Sequence, residues 1–170
     1  MPKPKKASPK LKAKKARSAK VLQQVAALPV RPTPDGDLEV LLVTSRETRR
    51  WIVPKGWPMK GRKPHRAAAI EACEEAGVIG PISKTPVGFY TYAKRLPDGG
   101  ALPCRVAVYC LTVTKQLATW PEKGQRDVQW VSSEAAAVLV DEPELADLIR
   151  EQARVAVAAQ LRAQDEPDPL

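Results

Sequence analysis

The sequence predicts an α/β protein in which helices pack against a mixed β-sheet. Three observations carry that expectation. Short runs rich in Val and Leu recur between turn signals. One of them leads through a Gly- and Pro-rich loop into an Ala- and Glu-rich helix, and a second helical stretch lies near the end of the chain.

The elements follow in order. VLQQVAALPV, residues 21–30, is apolar enough for a first strand, and Pro32, Pro34, Asp35 and Gly36 make a turn after it. Residues 38–45, LEVLLVTS, read as a buried strand. The short run Trp51-Ile52-Val53 ends at Pro54-Lys55-Gly56, which opens a loop. Pro64 suits the first turn of a helix, residues 65–76 supply strong helix formers, and Gly77 suits the C-cap. Residues 87–94 and 104–113 flank Pro97-Asp98-Gly99-Gly100, which predicts a hairpin. DVQWV, residues 127–131, is a further strand. Glu142-Pro143-Glu144 starts a last helix, with its acids near the positive end of the dipole, running toward Leu161. Residues 163–170 are expected to fray.

Charge divides the chain sharply. Of the formal net charge of +9, the first 20 residues account for all, with eight lysines, one arginine and no acid. The other 150 residues balance, with 19 basic and 19 acidic side chains. Residues 1–20 are expected to be a disordered Lys-rich tail, because Pro, Lys, Ala and Ser cannot bury enough apolar surface to offset their ordering. Such a tail is either an arm making weak electrostatic contact with nucleic acid or another polyanion, or a solubilising extension. No apolar run approaches the roughly 20 residues of a membrane span, and no signal-peptide pattern follows Met1. Three cysteines, Cys73, Cys104 and Cys110, form no CxxC pair and read as free thiols. Together these features predict a soluble, cytoplasmic protein.

The chemistry concentrates between Gly56 and Val78. On the helix, Glu71, Glu74 and Glu75 stand at i, i+3 and i+4, on one face. Ala69, Ala72, Cys73 and Ala76 are expected to form the opposite, packing face. Like charges so spaced cost a helix about 0.2–0.5 kcal/mol per pair, and anions near a helix C-terminus are unfavourable as well. Either water screens the stripe or a hard cation such as Mg²⁺ sits on it. Taken alone, the stripe reads first as a solvated acidic face and second as a cation site.

Its setting changes that order. Strand, Gly loop, helix, acidic stripe and closing Gly resemble the Nudix box, G-x5-E-x7-R-E-U-x-E-E-x-G-U with U apolar, aligned from Gly56 through Glu71, Ala72, Glu74, Glu75, Gly77 and Val78. RRWIVPKGWPM before the box and TWPEKGQRDVQWVSSEAA after it look like the branch that hydrolyses diphosphoinositol and diadenosine polyphosphates. Two positions depart: Arg62 stands where the box has its first Glu, and Ile70 where it has Arg.

The resemblance implies a Nudix-type α/β/α sandwich over residues 21–162 and Mg²⁺-dependent (or Mn²⁺-dependent) cleavage of a phosphoanhydride bond in a small polyphosphorylated substrate. It implies Glu71, Glu74, Glu75 and Glu122 as metal ligands, with Glu74 and Glu75 also catalytic. Lys55, Arg46, Arg50 and Arg62 are the candidate phosphate contacts, with Arg105 a further one, and Gly56 and Trp57 the loop contacts. Of the tryptophans, Trp57 is the candidate for stacking on a ligand, while Trp51 and Trp130 belong to strands. His65, the single histidine, is expected to be exposed. Arg62 and Ile70 favour an alternative, a catalytically impaired module that binds polyphosphates; the basic tail favours a nucleic-acid-associated protein.

Overall fold

The structure, a computed structural model, describes residues 20–165. The expected basic tail lies outside them except for Lys20, as do residues 166–170. Among the described residues, β1 (Leu22–Pro32), β2 (Leu38–Thr44), β3 (Trp51–Ile52) and β4 (Lys55–Gly56) lead into α1 (Pro64–Ala76). Then come β5 (Val78–Ile79), β6 (Gly88–Arg95), β7 (Ala101–Thr112), β8 (Lys115–Gln116) and β9 (Val128–Ser132), followed by α2 (Ser133–Leu139) and α3 (Pro143–Asp165).

The main sheet runs β3-β2-β1-β7-β6, with β9 beside β2 and β4 beside β1. β1 and β7 are parallel from Leu22↔Cys104 to Val30↔Thr112, and the other pairings are antiparallel, so the sheet is mixed as expected. Strand periodicity fills a core on each face. Ala26, Leu28 and Val30 of β1, with Val40 and Leu42 of β2, meet Ala136, Leu145 and Ile149 of α2 and α3. Val25, Ala27, Leu41 and Val43 point the other way, onto Ala68, Ala72 and Ala76 of α1.

One detail of pairing positions the site. β1 meets β2 only near its C-terminal end, from Val30↔Val40 to Pro32↔Leu38. Near residues 25 and 26 it pairs with β4 instead, Val25↔Gly56 and Ala26↔Lys55. β1 therefore changes partners, and the sheet forks beside the loop that enters α1.

Three expectations need correction. The buried face of α1 is His65, Ala67, Ala68, Ala72, Glu75 and Ala76, whereas Ala69 and Cys73 are only half-buried. The reason is that the helix is covered on two sides, by the sheet and by the segment after β8, so the covered stripe is turned toward Glu75. His65, in the first turn of α1, is buried as well, its ring against the sheet 6.4 Å from that of Tyr109 on β7. Finally, α3 continues to Asp165, through residues expected to fray; they are good helix formers, and Arg162 donates to the Ala158 carbonyl. α2 was not expected. Its signal is local: the Ser132 hydroxyl caps it by accepting the Ala135 N–H at 3.2 Å, ahead of an alanine run.

Candidate active site

The site assembles where β1 forks. α1 delivers Glu71, Glu74 and Glu75 toward β4. Gly56 of β4 lies so close that a Cβ there would press on the Glu71 carboxylate and make it turn aside. The far wall is the segment between β8 and β9. It is stitched to the end of α1 by the Leu117 N–H on the Gly77 carbonyl (2.8 Å) and the Glu122 N–H on the Glu74 carbonyl (3.0 Å). Trp120 packs over Gly77, which ends α1 at φ 68° with its N–H on the Cys73 carbonyl at 2.9 Å. This stitching brings Glu122 from a distant part of the chain to the three helix acids.

A cleft of about 510 Å³ results, lined by all four carboxylates and by Lys55, Gly56, Trp57 and Arg46. These eight sequence candidates are brought together. Arg50 and Arg62 are not. Arg50 turns into an adjoining cleft and pairs with Glu142 at 2.5 Å and Asp141 at 3.5 Å, so its charge is spent on holding the start of α3. Arg62 is exposed at the end of a turn closed by its N–H on the Met59 carbonyl, and it does not line the cleft. Arg105 stacks on Phe89 at 3.8 Å, away from the site.

Several participants carry no sequence signal. Arg126, only 8% exposed, donates to the Thr44 carbonyl at 3.0 Å and reaches Glu75 at 3.4 Å and Glu122 at 3.5 Å. In sequence it is one more charge in a polar loop. Lys94 of β6 lines the cleft beside Trp57, whose ring lies 5.9 Å from the ammonium. Gln24 accepts from the Tyr92 hydroxyl at 2.6 Å, and Tyr92 in turn accepts from the Lys55 ammonium at 3.1 Å. A polar relay thus fixes Lys55.

The electrostatics are those of an acidic site short of positive charge. Burial, then repulsion from Glu74 and Glu122, pushes the Glu71 carboxyl up to about 7. Burial pushes Glu75 up to about 8, against the pull of Arg126. Lys55 is driven down to about 8 by burial and then by Lys94. Glu75 Oε1 faces Arg126, and Oε2 accepts the Lys55 backbone N–H at 3.2 Å. Among the described residues, no three acidic side chains converge on one point as metal ligands do.

A pH dependence follows. Two carboxyls that hold protons in the folded chain above the ordinary value of 4.5 give stability that is complete below that value and lost as pH rises to about 8. Lys55 acts the other way, but its window lies above about 8. In EDTA, the melting temperature is therefore expected to fall between about pH 5 and pH 8, and Mg²⁺ to flatten the slope. Calorimetry checks this; a slope of the same size in Glu75→Gln would assign it to other groups.

A family profile for the NUDIX domain matches residues 22–152. Over 117 residues the chain is 33% identical to Nudix hydrolase 16, mitochondrial, of Arabidopsis thaliana, covering 67% of this chain and 64% of the relative. Over 101 residues it is 38% identical to diphosphoinositol polyphosphate phosphohydrolase 3-beta of Bos taurus, covering 58% of this chain and 57% of the relative. The matches thus span little more than half of these relatives' length. Among solved structures, a Caenorhabditis elegans Ap4A hydrolase binary complex superposes with a TM-score of 0.58 at 21% identity, over 79% of this chain and 96% of that one, a likeness of fold.

Proposed function

The chain belongs to the Nudix family, and from that premise we propose that it is a pyrophosphohydrolase that cleaves a phosphoanhydride bond in a small polyphosphorylated substrate with the help of Mg²⁺ or Mn²⁺. The observation that carries this reading is the meeting of Glu71, Glu74, Glu75 and Glu122 in one cleft with Lys55 and Lys94. Acids for a cation and ammonium groups for phosphate are the two requirements of polyphosphate chemistry. Diphosphoinositol and diadenosine polyphosphates are the proposed substrate classes, on the names of the relatives and the sequence resemblance.

The residues fit a hard divalent cation. All donors are carboxylate oxygens, burial and then mutual repulsion raise the proton affinities of Glu71 and Glu75, and Gly56 adds no side chain beside Glu71. Glu71, Glu74, Glu75 and Glu122 would hold it. When bound, it would offset phosphate charge and lower the pKa of a bound water. Glu75, with one oxygen on the Lys55 N–H and the other facing Arg126, is the fixed member of the set. Glu74 is exposed, and no described side chain donates to its carboxylate, which leaves it free to take the proton of the attacking water. Lys55, held by Tyr92, and the more exposed Arg46 would steady the phosphates, and Trp57 at the mouth would cover the ligand.

The alternative of an impaired binding module rests on Arg62 and Ile70. Its support is weakened by the position of Arg62 outside the cleft. A cytoplasmic location is proposed on the three free thiols, Cys73, Cys104 and Cys110. No described helix is long and apolar enough to cross a membrane. The test is turnover with Mg²⁺ of a diadenosine polyphosphate, a diphosphoinositol phosphate and a nucleoside triphosphate. Metal-dependent release of phosphate from at least one is expected; a folded protein that binds these anions and turns over none would overturn the enzyme reading.

A further inference from the structure

Arg126 is held in an unfinished state. Its Nη1 is fastened to the Thr44 carbonyl at 3.0 Å. Its Nη2 is shared between Glu75 at 3.4 Å and Glu122 at 3.5 Å, both longer than a full charge-assisted bond of about 2.7–2.9 Å. Its Nε is buried without any partner. A guanidinium this enclosed normally satisfies its donors. Here it grips two acids loosely while its far side is tied to the end of β2. The box departures sharpen the point: Ile70 puts no cation at its own position beside Glu71, and Arg62 stays outside the cleft.

We propose that Arg126 is a built-in counter-cation to Glu122 and, once it ionises, to Glu75, with which an entering divalent cation must compete. The proposal rests on the reading of these acids as cation ligands, but not on the turnover of any substrate. Arg126 is tied to Thr44 behind the cleft, so it cannot leave with solvent as a mobile ion would. It stands between two of the four acids that line the cleft, on the Glu75 and Glu122 side. Its fixed charge also opposes a second cation at the same oxygens. Arg126 is thus a positioning residue that keeps free-metal affinity low and offsets the like-charge repulsion among the acids.

The experiment is Mg²⁺ binding by calorimetry to the full chain, without substrate, at about pH 9 and in two buffers of different ionisation enthalpy, so that proton release is separated from binding. Arg126→Gln is expected to bind about tenfold more tightly or better, and Arg126→Lys, which keeps the charge, to stay near the unmodified protein. A merely structural arginine would give the opposite sign, since losing it would loosen the acids. Equal or weaker binding by a folded Arg126→Gln overturns the proposal. The unmodified chain supplies a reading that needs no variant to fold: a slowly exchanging arginine Nε–H signal in EDTA is expected to shift as Mg²⁺ is added. An unmoved signal at saturation also overturns it. Failure of the hydrolase reading would appear separately, as metal binding with no turnover of the substrate panel.

Discussion

Glu75→Gln is expected to lower kcat for phosphoanhydride hydrolysis by about 10²- to 10⁴-fold with little change in folding. Both halves of that result follow from the environment of the residue. Burial holds the Glu75 carboxyl at about 8, so at neutral pH the metal-free protein already carries it as the neutral acid. Glutamine copies that state in shape and charge, still accepts the Lys55 N–H, and leaves Arg126 with Glu122. What glutamine cannot do is ionise and hold a cation. Steady-state kinetics beside a melting curve checks this: a variant that melts near the unmodified protein but hydrolyses at close to its rate would remove Glu75 from the chemistry. Glu74→Gln tests the proton-accepting role in the same way, and the double variant should fall no further than the worse single one if the two act as a unit.

The largest structural effect is expected at Gly77, outside the cleft. Its φ of 68° costs a residue with a Cβ about 1–2 kcal/mol. A Cβ there would also meet the Trp120 ring at 2.4 Å, an overlap that adds about 1–3 kcal/mol. Gly77→Ala should therefore destabilise the protein by about 2–5 kcal/mol in denaturant unfolding. It should also cost activity at temperatures where the protein stays folded, because Trp120 and the Leu117 and Glu122 backbone bonds hold the segment that supplies Glu122 and Arg126. A loss below about 0.5 kcal/mol would mean that the ring moves aside freely.

Most of the fold was legible because the signals were local. Strand periodicity, the Pro-Asp-Gly-Gly turn and the Ala/Glu helix with its closing glycine each follow from a few neighbouring residues. The same holds for the stripe Glu71, Glu74 and Glu75, whose spacing alone puts the acids on one face. Other features depend on contacts that no short segment contains. Arg50 and Arg126 are both arginines in polar surroundings; one became a tie to Glu142 and the other a cation of the site, because of partners brought beside them from far along the chain, Glu142 across 92 residues and Thr44 across 82. The burial of Glu75 was missed for a related reason: a helix covered on two sides has no purely polar face, so helical periodicity misplaces its boundary. The strands β4, β5 and β8 are only two residues long, too short for alternation to register.

The fork in β1 divides the molecule into a part that holds still and a part open to redesign. The seam from Val25↔Gly56 to Ala26↔Lys55 fixes the floor beneath the carboxylates by backbone bonds, independent of the side chains above it. The rim, by contrast, comes from the turns after β2 and β4, which meet the rest of the protein mainly through exposed side chains such as Arg46 and Trp57. The turn after β2 is tied to the acid-bearing segment, by Arg46 on Glu122 and Arg49 on Asp127, so the part of the rim open to exchange is the turn after β4 around Trp57. Changes there leave the backbone seam beneath the acids in place, so the mouth of the cleft can vary while its floor is inherited intact.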